Sequence, residues 1–225
     1  MSQTLTKQSP EDSREDNKIL KCVTNPDEAI FELQRITERT SGKAQETAIS
    51  TVNEILTQVK SQGDKAVLKF TKRFDGFLPD PLLVDSKTIC NAWETTPTEL
   101  QNALKTAHER IHTFHQHQIP KEICIKGRLG ERLGRRWHPV ETAGIYVPGG
   151  RAAYPSTVLM NAIPAQVAGV KQIVMTSPAQ ANGQVNQTVL AAAHLAGVEK
   201  VFRIGGAQAI AALAYGTKSI PKVDV

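Results

Sequence analysis

Cysteine is scarce in this 225-residue chain. The three present, Cys22, Cys90 and Cys124, are far apart and form no CxxC pair, which argues against a disulfide framework and against a thiolate zinc site. They read as reduced thiols of a cytosolic protein. No apolar run approaches the roughly 18 residues that a membrane-spanning helix needs. Residues 1–18 lack the apolar core of a secretory signal, and their acidic residues speak against a transit peptide. Internal repeats and low-complexity tracts are missing. So are the GxGxxG dinucleotide fingerprint and the GxSxG nucleophile elbow. Charge is nearly balanced, with a formal net of +5, a weak pointer to nucleic acid.

What is present divides into two halves. Up to about residue 120 the pattern is helical. Ile30, Phe31, Leu33 and Ile36 predict a helix over 27–39, and Ile49, Val52, Ile55, Leu56 and Val59 predict a stripe on a helix over 45–62 that Gly63 stops. Asp64 reads as the cap of a short helix carrying Val67, Leu68 and Phe74. Thr96, Pro97 and Glu99 read as a capping box opening a helix to about His117, with Leu100, Leu104, Ala107, Ile111 and Phe114 as its buried stripe. Residues 123–125 and 135–140 predict a hairpin.

From 143 onward, strands and helices alternate. Strands are predicted over 143–147, 172–176 and 200–204, and helices over 156–168, 186–196 and 207–215. Three strand–helix units in a row imply a parallel sheet with right-handed crossovers, hence an α/β fold. Residues 221–225 look like the start of a fourth strand, so the sequence reads as the front part of a longer protein. The expected organisation is a polar leader and first helix over 1–40, the helical part of a first domain with the hairpin over 41–142, and an incomplete Rossmann-like domain over 143–225.

Several motifs could carry chemistry. Gly149–Gly150 and Gly205–Gly206 stand where a strand hands over to a helix, the edge at which parallel sheets bind ligands. Glycine there lets a phosphate approach the backbone, although tight turning alone would also explain it. Tyr146 and Gln208 lie at or just past the carboxyl ends of strands and are candidate binding residues. His108, His112, His115 and His117 have helical spacing that could present imidazoles to a metal, but no carboxylate or thiol pattern completes a site, so a helix face is the plainer reading. Lys126, Arg128, Arg132, Arg135 and Arg136 could grip phosphates; with Trp137 the one aromatic among them, an exposed hairpin face is the plainer reading. Ser156 reads as a helix N-cap.

Longer runs add a resemblance. Residues 144–150 (GIYVPGG), 155–160 (PSTVLM), 163–165 (IPA), 205–217 (GGAQAIAALAYGT) and 221–224 (PKVD) resemble the histidinol dehydrogenase family, as do 51–56 (TVNEIL) and Gly63–Asp64 in the helical half. The likeness covers about residue 44 to the end, and the first forty residues match little.

The resemblance implies two Rossmann-like parallel-sheet domains, of which this chain holds a helical N-terminal half of the first and an incomplete second. It implies oxidation of L-histidinol through L-histidinal to L-histidine with two NAD and one zinc, the last two steps of histidine biosynthesis, by a cytoplasmic homodimer that binds neither nucleic acid nor membrane. The family's NAD-contacting tyrosine and glutamine match Tyr146 and Gln208. Its zinc ligands, its proton-handling glutamate–histidine pair and a further NAD-contacting asparagine would fall beyond Val225, so this chain alone is expected to be inactive. The alternative is a non-catalytic nucleotide-binding module.

Overall fold

The computed structural model describes residues 22–38, 43–76, 78–149 and 153–225. The leader expected over 1–20 and Gly150 of the first glycine pair lie outside them. The chain divides into two units, residues 1–50 and 51–225.

In the first unit, helix α1 (Pro26–Glu38) carries Asp27 and Glu28 in its first turn, where carboxylates suit the helix dipole. The Asn25 side chain accepts a hydrogen bond from Asp27 N at 2.9 Å. Ile30, Phe31, Leu33 and Ile36 form the predicted stripe and are exposed. The first part of helix α2 (Lys43–Gln62) also belongs here, with Ile49 exposed.

The second unit is built on a parallel sheet of β3 (Thr142–Tyr146), β4 (Gln172–Thr176) and β5 (Lys200–Phe202), in that spatial order. Two further segments lengthen it. Leu83 bridges Phe202 in antiparallel sense, with Val84 N donating to Val201 O and Arg203 N to Leu82 O, both at 2.8 Å. On the other edge Asp224 N donates to Thr142 O at 3.1 Å and Gly144 N to Val225 O at 2.7 Å. The residues expected to start a fourth strand thus run beside β3. The sheet order puts the first strand between the second and this last segment, the switch-point arrangement of doubly wound folds.

Both faces are covered, as a parallel sheet requires. Strand alternation sends Ile145, Ile173, Met175 and Val201 into one core with helices α4 (Ser86–Glu94), α5 (Thr98–Gln116), α6 (Pro155–Val167) and α7 (Gln187–Leu195). Val174 and Phe202 enter the opposite core with the end of α2, α3 (Asp64–Asp75) and α8 (Gly206–Tyr215). Helices that precede residue 142 therefore pack directly on the sheet that follows it. The fold is α/β and Rossmann-like.

Local expectations fare unevenly. Helix α4 has no counterpart in the sequence reading, although Asp85 precedes it and Ile89 and Ala92 bury at three-residue spacing. The Thr96 capping box does not form: Thr96 donates its hydroxyl backwards to Ala92 O at 2.6 Å, and Pro97 occupies the N-cap position. Asp64 caps nothing either, because its carboxylate accepts from Ser219 N (3.1 Å) and Ser219 Oγ (2.9 Å). The hairpin exists as β1 (Ile123–Lys126) and β2 (Arg132–Arg135), antiparallel. Its second strand starts earlier than expected, since Gly127 N donates to Glu131 O at 2.8 Å and closes the turn just before Arg132.

Candidate functional site at the carboxyl edge of the sheet

Tyr146 is the last residue of β3 and points, by alternation, to the α8 side of the sheet. Its hydroxyl accepts a hydrogen bond from Gly206 N at 3.3 Å, so the end of the first strand is tied to the start of helix α8. Gly205, at the N-cap position, has no side chain of its own to cap α8, and the Tyr146 hydroxyl meets the first N–H alone. Uncapped N–H groups and the positive end of the helix dipole make such a terminus receptive to polar or anionic groups.

Gln208 sits in the first turn of α8 and is 1% exposed. Its Oε1 is buried and has no hydrogen-bond partner. A buried carbonyl oxygen left without a donor costs about 1–3 kcal/mol. Gly206, at φ +65°, lies beside it: a Cβ there would stand 2.7 Å from Gln208 Oε1. Glycine at 206 thus permits a left-handed backbone and leaves room for the carboxamide. The two residues singled out in the sequence are brought to the same helix start. Together they offer a phenol hydroxyl with a proton to donate and a carbonyl oxygen awaiting a donor. This suits the carboxamide or ribose hydroxyls of a dinucleotide, and the residues present fit NAD on that ground.

The glycine pairs themselves carry a different message. Gly205 has φ −129° and ψ −169°, an extended conformation open to any residue. What forbids a side chain there is Pro178, whose Cβ would lie 2.8 Å from a Cβ on Gly205, with Cγ closer still. Pro178 also stands 3.1 Å from where a Cβ on Gly149 would be. Packing against Pro178 by itself excludes a side chain at 205 and crowds one at 149. The sequence reading passed over Pro178; its one signal is its place directly after a buried strand, level with the two glycine turns.

Other candidates do not join this site. The rings of His108 and His112 stack on each other with centroids 6.1 Å apart, and burial, followed by the neighbouring His112, holds the His108 pKa below its ordinary value. His115 Nδ1 pairs with Gln118 Oε1 at 2.6 Å, and His117 Nδ1 with Thr113 O at 2.7 Å. Among the described residues no three His, Cys, Asp or Glu side chains come together as a metal centre, so these residues do not fit a zinc site. The basic residues of the hairpin are exposed, Lys126 faces Arg132 across the ladder, and the Arg135 guanidinium lies over Trp137 at 5.1 Å. Ser156 does not cap α6, because Tyr154 occupies that position. Arg203, just past β5, is buried and donates to the carbonyls of Gly183 (3.3 Å) and Pro81, fastening two loops to the sheet edge. No helix among the described residues is long and apolar enough to cross a membrane.

Comparison with known proteins gives a consistent assignment. The family model described as histidinol dehydrogenase matches residues 38–225. The histidinol dehydrogenase of Prochlorococcus marinus (strain MIT 9313) is 56% identical over 221 residues, covering 98% of this chain and 50% of that protein. This match reaches into the first forty residues, where little likeness was expected. The histidinol dehydrogenase of Parasynechococcus marenigrum (strain WH8102) is 59% identical over 206 residues, covering 92% of this chain and 47% of its own. A crystal structure of histidinol dehydrogenase from Elizabethkingia anophelis superposes with a TM-score of 0.75 at 35% identity, over 82% of this chain and 42% of that one. The chain spans about half the length of the curated relatives it matches. On this likeness, carried through most of its length and through its fold, the chain belongs to the histidinol dehydrogenase family.

Proposed function

We propose that this chain supplies the nucleotide-side half of an NAD-dependent histidinol dehydrogenase, which oxidises L-histidinol through L-histidinal to L-histidine. The observation that carries the reading is the orphaned, buried Oε1 of Gln208 beside the Tyr146–Gly206 hydrogen bond, at the carboxyl edge of a parallel sheet. Bound NAD would supply the hydride acceptor for each of the two oxidations. Tyr146 and Gln208 bind and orient it: the carboxamide oxygen accepts from the nucleotide, and the phenol hydroxyl donates to it while staying anchored through Gly206 N.

Removing the alcohol proton needs a base, and converting the aldehyde to the acid needs an activated water. The described residues place no base and no metal centre beside Tyr146 and Gln208. Both tasks, and the zinc that the family resemblance implies, are assigned to residues outside this chain. The working enzyme is proposed to be a cytoplasmic homodimer, and these 225 residues alone are proposed to be inactive.

The test is NADH formation from L-histidinol and NAD by the intact gene product. Tyr146→Phe and Gln208→Ala should each raise KM for NAD more than they lower kcat. Absence of NADH from a folded protein overturns the proposal. Binding of NAD without turnover supports the non-catalytic module instead.

A further inference from the structure

Pro178 follows β4 and sits between the two turns that leave β3 and β5. Its ring lies within 3.1 Å of a Cβ position on Gly149, and its Cβ within 2.8 Å of a Cβ position on Gly205. These turns carry the binding residues: Tyr146 lies three residues before Gly149, and Gln208 three residues after Gly205. They are also linked directly, through Gly206 N and the Tyr146 hydroxyl. Ring and glycines thus form one contact, in which a rigid pyrrolidine fills the gap that two absent side chains leave open.

We infer that Pro178 is a positioning residue: a wedge that sets the separation of the two turns, and so the spacing of Tyr146 and Gln208 across the nucleotide. This rests on the function proposed above. Gly205 is extended and Gly149 is not left-handed, so neither needs glycine for its backbone; the ring excludes a Cβ at 205 and crowds one at 149. A methyl at 205 must push against the ring, and the strain falls on the Tyr146–Gly206 link. Gly206 is different. Its φ of +65° and its approach to Gln208 would strain any side chain whether or not Pro178 is present.

The experiment is a mutant cycle in the intact gene product, read as Kd for NAD well below the melting temperature and, separately, as Tm without ligand. Gly205→Ala should weaken NAD binding at least tenfold. Pro178→Ala, which keeps Cβ, should relieve part of that loss, and Pro178→Gly most of it. Gly206→Ala should be relieved by neither. If the Gly205→Ala loss persists unchanged in the Pro178→Gly background, the added methyl meets the ligand itself and the wedge is overturned. Movement of Tm with Kd unchanged also overturns the positioning role. A protein that binds no NAD in any background overturns the function proposed above and the positioning role that rests on it, whereas NAD binding that Pro178→Gly fails to restore overturns the wedge alone.

Discussion

Replacing Gln208 by methionine should stabilise the protein and weaken its ligand binding at once. The side chain is 1% exposed, and its carbonyl oxygen faces no donor. Desolvating that oxygen without a partner costs about 1–3 kcal/mol in the unliganded state. Methionine has nearly the same length and shape, so it keeps the packing against the helix while removing the stranded acceptor. Taking the low end, a gain of about 1 kcal/mol raises Tm by about 2–4 °C in a domain of this size. On the proposed function NAD then loses one hydrogen bond, and at about 1.4 kcal/mol per tenfold its affinity should drop by about an order of magnitude. Thermal melts without ligand and calorimetric titration with NAD read the two effects separately. A lower Tm with unchanged affinity would refute the reasoning, because it would mean that the carboxamide serves the fold and no ligand. Both falling together would place its value in packing.

Two further outcomes test other parts of the structure. The Thr142 backbone N–H and hydroxyl both donate to the Asp224 carboxylate, each at 3.0 Å, and hold its pKa below the ordinary 3.8. A carboxylate depressed by folding contributes stability that is fully present above the unfolded value and is lost as pH falls through the folded one. Asp224→Asn should therefore flatten the acid limb of the stability profile and leave its pH 7–8 portion parallel to that of the unsubstituted protein; an unchanged acid limb in urea melts taken at successive pH values would show the contact to be inert. Asn186 Oδ1 accepts from Thr188 N (2.9 Å) and Val189 N (3.4 Å), so Asn186→Ala should cost about 1 kcal/mol in urea denaturation.

The sheet was legible in the sequence because its signals are local and redundant. Gln172–Thr176 is an apolar run bounded by turn residues, and each flanking helix ends at a glycine. The helical half was less legible because its end signals compete with tertiary contacts. Asp64 has the right chemistry for a cap, yet it spends its carboxylate on Ser219, which is 155 residues away in sequence. Thr96 could have opened α5, but a helix ending at Glu94 takes its hydroxyl first, and that helix went unread because nine residues give too few turns for periodicity to show. Stripes were overcounted for a related reason. Ile49 and Phe114 continue the patterns of α2 and α5, yet both are exposed, since the cores these helices meet extend only part of their length.

The convergence of Tyr146 and Gln208 on one sheet edge was legible by place, but the contact that crowds the glycines was not. A Gly-Gly pair after a strand looks the same whether it makes room for a phosphate or for a neighbouring turn, because sequence records the missing side chain and not what fills the gap. Here the filler is Pro178, from a third turn that is distant in the chain and level with the others only once the sheet has formed. The register that pairs Tyr146 with Thr176, and Thr176 with Phe202, brings residues 149, 178 and 205 to one edge. The glycine turns at that edge are thus tied to the fold's packing through Pro178, and on the proposal above that packing sets the spacing of Tyr146 and Gln208.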